Sequence, residues 1–218
     1  MQGYLRGEEV SLDGYASRIE WVRQTGLPKV PVDVAATGPK MIELGAQLAD
    51  WVTLSLGAQP ERLRWGMETA RQARLRAGLD LAGLSLGAYL NVVVHPNRER
   101  ARTLARGLTS SFARFSGMSK DAIQSLAPES RSVVEAVSAQ YDMSHHGEQE
   151  AKHTALLTDA FLESFAIVGP SSYCIERLQE LIALGLERLV IVGPGRGTDP
   201  DEVKQAEMRF FQEVLPAL

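Results

Sequence analysis

Residues 30–41 read VPVDVAATGPKM, and this stretch decides the fold. Its first seven residues are mostly β-branched or apolar, which predicts a strand over Val30–Ala36. Thr37 and Gly38 end that pattern. Pro39 suits the first position of a helix, because its missing N–H would have no partner there. The stretch therefore predicts a strand that passes through a tight turn into a helix.

The strand-then-helix order recurs after this stretch. Apolar residues at helical spacing predict a helix over 39–49, and its apolar stripe consists of Met41, Leu44, Gly45 and Leu48. Further strands are predicted at 51–56, within 84–95 with its centre at 89–94, and at 188–192. Further helices are predicted from Pro60 to Gly78, from a cap at Ser171 or Ser172 to Gly185, and from Asp199 through Val214. Strands that alternate with helices imply right-handed crossovers and a parallel sheet.

The segment 97–163 differs from the rest because it contains no predicted strand. Helical patterns cover 97–115, 120–126, 129–141 and 148–163. This length exceeds a plain crossover, so we interpret the segment as a helical insertion plus one barrel helix. A short extended piece, 165–169, follows it. The whole chain, 1–218, is predicted to form a single domain.

The predicted fold class is α/β, a TIM-barrel-type (β/α)₈ fold of which this chain supplies about four βα units. A complete barrel takes about 250 residues, and the chain has 218. Four units cannot close an eight-stranded barrel, so both edges of the sheet would stay open, and open edges pair with other chains. We therefore expect the chain to form a homo-oligomer, to aggregate, or to pair with a missing N-terminal half.

The turn that follows the first strand is the candidate binding site. N–H groups in the first turn of a helix have no intrahelical acceptors, and their partial positive charge favours an anion. Gly38 would let a phosphate approach the backbone, Thr37 would add a hydroxyl donor, and Lys40 would add a cation. The turn lies at the C-terminal end of a parallel strand, where such barrels place ligands. A helix capped by Thr37 with Lys40 in solvent explains the spacing equally well.

The composition excludes several classes of function. The net charge is −4, so no basic field indicates nucleic acid or an anionic membrane as a partner. No apolar run approaches the roughly 20 residues of a membrane span. The N-terminus, MQGYLR, leads into no apolar region typical of a secretory signal. One cysteine, Cys174, cannot form an internal disulfide. We therefore expect a cytoplasmic protein with a small-molecule substrate.

Several segments together resemble the bacterial-luciferase-like family of flavin- and deazaflavin-dependent oxidoreductases, which includes monooxygenases and reductases. Residues 31–41, PVDVAATGPKM, and 48–52, LADWV, are similar to the middle of these chains. The stretches 165–170, FAIVGP, and 185–191, GLERLVI, are similar to the family's closing pattern. The similarity is greatest to the methylenetetrahydromethanopterin reductase-like branch.

The resemblance implies a fold position, an activity and a cofactor. It identifies the chain as the C-terminal half of the barrel, strands five to eight, with the insertion between strands seven and eight. It implies hydride transfer between an organic substrate and a deazaflavin coenzyme of the 8-hydroxy-5-deazaflavin type, or FMN. By this resemblance the residues that contact the phosphate-bearing tail of the cofactor are Ala36, Thr37, Gly38, Pro39, Lys40 and Met41.

The resemblance does not include the family's first four βα units, which provide most contacts to the redox-active ring. No catalytic residue can therefore be assigned in this chain. Two alternatives stand beside the enzyme: a cofactor-binding or assembly module without catalysis, and a truncated fragment that lacks the catalytic half.

Three other features carry weaker signals. The glycine-rich turn 193–197 could bind phosphate through Arg196, although an exposed turn is the simpler interpretation. His95 ends a strand on the ligand-binding side, but it also precedes a plain helix entry. Cys174 lies early on a helix, where a thiol pKa can fall, yet core packing is favoured because no base is identifiable.

A histidine-containing loop is the remaining candidate. Metal ligation there is conceivable, but a solvated polar loop is the simpler interpretation, and we predict no metal site. The residues concerned are His145, His146, Glu148, Glu150 and His153.

Overall fold

Five parallel strands form the central sheet of the computed structural model, which describes residues 1–218. A separate antiparallel hairpin precedes them. The hairpin strands are β1 (Val10–Leu12) and β2 (Tyr15–Ser17), and the sheet strands are β3 (Asp33–Ala36), β4 (Trp51–Leu54), β5 (Ser85–Val94), β6 (Ile167–Gly169) and β7 (Arg188–Val192).

Ten α-helices accompany these strands, and none has the length and apolar content that crossing a membrane requires. They are α1 (Gln2–Leu5), α2 (Glu20–Gln24), α3 (Pro39–Leu48), α4 (Pro60–Arg76), α5 (Arg98–Ser116), α6 (Lys120–Gln124), α7 (Pro128–Gln140), α8 (Asp159–Phe165), α9 (Ser171–Ile182) and α10 (Pro200–Arg209). Single 3₁₀ turns cover Leu81–Gly83, Met143–His145, Lys152–Leu156 and Leu215–Ala217, and a π-helical turn covers Phe210–Val214.

The order of the strands leaves the sheet unpaired at both ends. β3 pairs with β4, and β4 pairs with the first four residues of β5. β7 pairs with 87–91 of β5, and β6 pairs with 92–94 of the same strand. β3 has no other neighbour than β4, and β7 none other than β5. The chain is therefore a mixed α/β fold with a parallel sheet and flanking helices, and the barrel is not closed.

The sheet has an apolar outer face and a more polar inner face, because side chains alternate along each strand. Val52 pairs with Leu86, and both side chains are buried in the main core. That core lies between the sheet and helices α3, α4 and α9, with Met67 and Leu178 as central members. The inner face carries the alternate residues, which include Asp33, Trp51, Thr53, Ser85, Tyr89 and Arg188.

The segment 97–163 forms α5 to α8 with no strand among them. Helix α5 packs on the upper part of the inner face, where Val93 contacts a cluster that includes Leu104. A further cluster joins α5, α7 and α8 through Ala113, Val134 and Leu162. These contacts place α5 across the carboxyl end of the sheet.

Two sequence predictions in the second half of the chain are corrected. Residues 148–163 do not form one helix, because Thr154 Oγ1 donates to the carbonyls of Gln149 and Ala151 and stops helical propagation. Thr158 then caps α8. The extended piece 165–169 contains a fifth sheet strand, β6, since β4 covers only the first part of the long strand β5.

The predicted helix caps at Ser171 and Ser172 are wrong as well. Both residues lie inside α9, whose N-cap is Pro170 and has no side-chain hydrogen bond.

The predicted apolar stripe of α3 is also wrong in part. The buried residues are Ile42, Gly45 and Ala46. In contrast, Met41 and Leu44 are 46% and 47% exposed, and Leu48 is 62% exposed. The reason is topological: β3 is an edge strand, so α3 has the neighbouring helix α4 on one flank and none on the other.

Candidate functional site

A cavity of about 360 Å³ lies where the parallel strands end. Its walls come from the C-terminal ends of β3 and β4, from the middle of β5 and from helix α5. The lining residues are Ala35, Thr37, Ser55, Tyr89, Phe112 and Phe115. In open parallel α/β sheets and barrels this edge is where ligands bind, because the loops that follow the strands meet there.

Three of the lining residues carry hydroxyl groups. They are Thr37, Ser55 and Tyr89, and none of the three side chains forms a hydrogen bond to another protein group. The next inward residue on β4, Thr53, shows the contrast: its hydroxyl donates to Asp33 Oδ2 at 2.6 Å. Free hydroxyls in an otherwise apolar cavity are the few placed polar groups that orient a bound small molecule.

Aromatic side chains of α5 cover the cavity. The ring of Phe112 lies 6.4 Å from that of Tyr89, centroid to centroid, in a tilted arrangement. Helix α5 is held there by Asn91, whose Nδ2 donates to the Ala105 carbonyl at 3.0 Å and to Thr109 Oγ1 at 2.9 Å. The two faces of the cavity, hydroxyl-bearing and aromatic, suit a flat polar ring system.

The helix that leaves this edge has an N-terminus without a side-chain cap. Gly38 is the N-cap of α3, Pro39 is its first residue, and no side chain caps the first turn. No acidic residue lies in that turn either. The N–H groups of Lys40 and Met41 therefore keep the partial positive charge that attracts an anion. Thr37, immediately before the turn, connects it to the cavity.

The six residues predicted to contact a cofactor tail are only partly brought together. Thr37 lines the cavity, while Ala36 is buried on the outer face of the sheet. The side chain of Lys40 is 89% exposed, and its Nζ lies 3.8 Å from Asp121 Oδ2. Met41 is also exposed. The alternative interpretation, in which Thr37 caps the helix, is wrong, because the N-cap residue of α3 is Gly38.

Helix α6 lies against the same turn. A Cβ placed on Gly38 would come within 3.4 Å of Ser119 Oγ and 3.5 Å of Ala122 Cβ. These are contact distances that leave no further room on that side of Gly38. An anion would therefore approach the turn from the cavity, on the Thr37 side.

Sequence reasoning missed most of the cavity. Ala35 and Tyr89 are inward-facing strand residues and Ser55 directly follows β4, so strand alternation could have found them once the register was known. Phe112 and Phe115 carry no comparable signal. They reach the cavity because α5 folds back over the inner face of the sheet, which no local pattern predicts.

A polar cluster closes the lower part of the inner face. The Arg188 guanidinium lies over the Trp51 ring, 4.4 Å from its centroid. It also donates to the hydroxyls of Ser85 and Thr53, and its Nη2 lies 3.9 Å from Asp33 Oδ1. The cluster joins β3, β4, β5 and β7 at the amino ends of the strands. Residues at this end of a barrel contribute to stability more than to chemistry.

The glycine-rich turn after β7 binds protein groups instead of offering free donors. The N–H groups of Gly195 and Arg196 donate to the carbonyls of Leu104 and Gly147. The Arg196 side chain donates to the His146 carbonyl. The turn thus fixes the end of β7 to α5 and to the following loop.

The histidines do not form a metal site. His145 bonds to Asp142, and His146 bonds to the Tyr141 hydroxyl. His153 is buried against the Tyr141 ring at 4.1 Å. No group of three or more histidine, cysteine, aspartate or glutamate side chains is placed to hold a metal ion.

The other two candidates have structural roles. His95 accepts a hydrogen bond from the Asn97 N–H, so it belongs to the entry of α5. Cys174 is fully buried, and burial raises the pKa of its thiol to about 12. Its Sγ donates weakly to the Gly169 carbonyl. Core packing is therefore the role of Cys174.

Comparison with known proteins agrees with this architecture. The model of the luciferase-like monooxygenase family matches residues 1–188. The 5,10-methylenetetrahydromethanopterin reductase of Archaeoglobus fulgidus is 26% identical over 97% of this chain and 62% of its own length.

Two solved structures share the fold. The coenzyme F420 dependent tetrahydromethanopterin reductase from Methanopyrus kandleri is 19% identical, with a TM-score of 0.66 over 99% of this chain and 60% of that one. An F420-dependent secondary alcohol dehydrogenase, solved in complex with an F420–acetone adduct, is 15% identical with a TM-score of 0.66. It is matched over 96% of this chain and 55% of its own.

The chain spans about three fifths of the length of these relatives. Within that span the match to the family model covers the cavity, the α3 turn and the whole sheet up to the first residue of β7. This chain belongs to the luciferase-like monooxygenase family.

Proposed function

We propose that this chain binds a deazaflavin coenzyme at the carboxyl edge of its sheet, as part of an oxidoreductase that moves a hydride between that coenzyme and an organic substrate. The observation that carries the proposal is the cavity with three unpaired hydroxyls, directly beside a helix N-terminus without a cap or an acidic residue. The cavity suits a polar ring, and the helix N-terminus suits the phosphate of the coenzyme side chain.

The residues of the cavity have separate tasks in this proposal. Tyr89 and Ser55 orient the bound ring system by hydrogen bonds from their free hydroxyls. Phe112 and Phe115 cover the ring and exclude water from it. The bound deazaflavin supplies the hydride chemistry itself.

The phosphate of the coenzyme side chain belongs at the turn that begins α3. There the backbone N–H groups after Gly38 donate to it, and the hydroxyl of Thr37 completes the contact from the cavity side. Lys40 is free to contribute, because its side chain is exposed and its ion pair with Asp121 is loose. Of the six residues of the predicted tail site, Thr37, Gly38 and Lys40 thus have a role in this proposal, whereas Ala36 is buried on the outer face of the sheet.

Deazaflavin is favoured over FMN by the relatives, two of whose names state dependence on coenzyme F420. FMN is the alternative, since a riboflavin lyase solved with modified FMN also shares this fold with a TM-score of 0.52. The geometry of the cavity suits either ring, so the choice is made by a binding comparison.

A binding module without catalysis is the second candidate. One observation favours it: Ala35 and Asp33 on the edge strand β3 remain exposed, so the cavity has walls from three strands and one helix and is open on the β3 side. A site open on one side can hold a cofactor while leaving the substrate unpositioned.

A titration followed by a turnover assay tests both candidates. Purified protein is titrated with oxidised coenzyme F420 and separately with FMN, and binding is followed by fluorescence. We expect saturable binding that prefers coenzyme F420 and weakens about two- to tenfold in each of Thr37→Val, Ser55→Ala and Tyr89→Phe, the effect of one lost hydrogen bond. Thr69→Val, on α4 away from the cavity, is the matched control.

The turnover assay then separates enzyme from module. The reduced coenzyme is mixed with protein and with methylenetetrahydromethanopterin or a ketone, and its oxidation is followed by absorbance. Oxidation that depends on the protein supports the oxidoreductase, whereas binding without oxidation supports the module. Absence of binding to either cofactor contradicts both.

A further inference from the structure

Arg62, near the start of α4, is a buried arginine without an acidic partner. The residue is 3% exposed and forms no ion pair, and its Nη2 has no hydrogen-bond partner in the protein. The ring of Phe165 lies beside the guanidinium, with 5.6 Å between the ring centroid and Cζ. Buried charges in proteins are normally paired, because an uncompensated charge is costly away from water. Arg62 is therefore a buried positive charge that this chain leaves uncompensated.

The Arg62 guanidinium supports the wall of the candidate site. Its Nη1 donates to the Leu56 carbonyl at 2.6 Å and to the Ser116 hydroxyl at 3.3 Å. Leu56 directly follows Ser55, which lines the cavity. Ser116 directly follows Phe115, which lines the cavity as well. Each of the two contacts is thus one residue away from the cavity wall.

Arg62 is also connected to the turn that begins α3. Its Nε donates to Ser125 Oγ at 3.3 Å, and this hydroxyl donates to the Ala122 carbonyl at 2.7 Å. Ala122 packs against Gly38, the N-cap of α3. The same arginine therefore contacts the supports of both the cavity and the turn.

The other charges around Arg62 do not neutralise it. Glu61 and Glu129 line an open cavity of about 480 Å³ beside it, but both are exposed to solvent and neither forms an ion pair with Arg62. Arg177 donates to a carbonyl of the loop after β4, and its charge is offset by Glu180. Burial lowers the pKa of Arg62 to about 9, so the guanidinium is still charged at neutral pH. The charge behind this wall of the cavity is therefore positive.

The two candidate cofactors differ in the charge of their rings. The hydroxyl of an 8-hydroxy-5-deazaflavin is conjugated with the ring carbonyls, so it loses its proton near neutral pH and the ring becomes an anion. The oxidised ring of FMN has no such hydroxyl and is neutral. A positive charge nearby favours the ionised form of an acid over its neutral form.

We infer that Arg62 makes the cavity select an anionic ring, and therefore the ionised 8-hydroxy-5-deazaflavin over FMN. The inference rests on the proposed function, because it concerns how the cavity recognises its cofactor. Arg62 does not line the cavity. It acts on the ring through its charge, and it positions Ser55 and Phe115 through the residues that follow them.

Two ring probes without a phosphate test the inference. They are 8-hydroxy-5-deazariboflavin and 5-deazariboflavin, which differ only in the ring hydroxyl. At a pH where that hydroxyl is ionised, we expect the native protein to bind the hydroxylated probe at least about tenfold more tightly. Arg62→Met should reduce this preference to about twofold or less, whereas Arg62→Lys keeps the charge and should retain most of it.

Arg74→Met is the matched control for the loss of a buried arginine from α4. Arg74 is 8% exposed and donates to the carbonyls of Ala46 and Asp80, away from the cavity. Its replacement should leave the preference for the hydroxylated probe unchanged.

The native protein gives a second readout, which decides the matter should circular dichroism show that the Arg62 variants are unfolded. Absorbance of the bound hydroxylated probe reports the pKa of its hydroxyl, and we expect this pKa to fall by about 1 on binding, which corresponds to a tenfold preference for the anion. Equal affinity of the native protein for the two probes, or a bound pKa that is not lowered, overturns the inference and leaves the proposed function standing. A native preference in a folded Arg62→Met protein overturns it too.

Failure to bind either probe also overturns the inference. Only an added failure to bind coenzyme F420 and FMN contradicts the proposed function, so the two outcomes are distinguishable.

Discussion

The side-chain amide of Asn91 donates to Thr109 Oγ1 at 2.9 Å, and this bond joins the centre of β5 to the middle of α5. Both residues are buried, and the same amide also donates to the Ala105 carbonyl. Because Phe112 lies one turn further along α5, the bond also sets where the aromatic cover of the cavity sits. A single interaction thus links the stability of the fold to the shape of the candidate site.

Replacement of Asn91 should therefore affect stability and binding together. Asn91→Ala leaves two buried acceptors without their donor, and we expect the free energy of unfolding to fall by about 1–3 kcal/mol. Urea denaturation followed by circular dichroism measures this, with Gln72→Ala on the exposed side of α4 as the control. Unchanged stability together with unchanged cofactor affinity would show that Asn91 does not position α5.

The charges beside the α3 turn should tune affinity for an anionic ligand. Asp121 lies 3.8 Å from Lys40 at an exposed position and opposes an anion at the turn. We expect Asp121→Asn to tighten cofactor binding about two- to fivefold and Lys40→Gln to weaken it by a similar factor. Both effects should shrink at high salt, because exposed charges are screened. Titration at two ionic strengths measures them, and a salt-independent affinity would contradict the phosphate assignment.

The N-terminal segment should make stability depend on acid pH. Hydrogen bonds from Lys29 and from the Val32 N–H lower the pKa of Asp50 to about 2. A carboxyl whose pKa is lower in the folded state stabilises the fold above its unfolded pKa of about 3.9, and loses that contribution as pH falls toward 2. Because the Asp50 side chain is 36% exposed, we expect less than about 2 kcal/mol.

The Asp50 effect is measurable by comparing unfolding free energies at several values between about pH 5 and pH 2.5. Asp50→Asn should lower stability near neutral pH and flatten the dependence in this range. Asp13→Asn, in the exposed turn of the hairpin, is the matched control and should keep the native slope. An Asp50→Asn protein with the native slope would assign the acid sensitivity to other carboxyls.

Cys174 should be unreactive in the folded protein. Its burial raises the thiol pKa to about 12, so almost no thiolate exists at pH 8. We expect alkylation by iodoacetamide to be at least about a hundredfold slower than in denaturant. Because this is the single cysteine of the chain, mass spectrometry of the whole protein reports the rate directly. Equal rates in the two conditions would mean that α9 does not cover the thiol.

The sequence predicted the fold well where a local pattern corresponds to a local structure. The stretch around Pro39 contains a strand, a stop and a helix start, and all three are present in the structure. Strands are also present where they were predicted at 51–56 and 188–192, although the first ends at Leu54. The alternation of these elements is enough to imply a parallel sheet.

Features that depend on tertiary neighbours were not predictable in the same way. Leu44 and Leu48 look like core residues by spacing, but they are exposed because no helix lies on that side of α3. The strand β6 has three residues and exists only because β5 extends beyond β4. The cavity needs Tyr89 and Phe112 side by side, and their neighbourhood depends on the path of α5 over the sheet. The local sequence at 36–41 predicts the turn into α3, whereas the cavity beside that turn depends on tertiary contacts.

A crystal structure of the chain with oxidised coenzyme F420 tests the central claim most directly. We expect the ring in the cavity against Tyr89 and Phe112, with a phosphate oxygen within hydrogen-bond distance of the backbone N–H groups after Gly38. A ligand bound elsewhere, or a turn still filled by Ser119 and Ala122 with no phosphate on its cavity side, would contradict it.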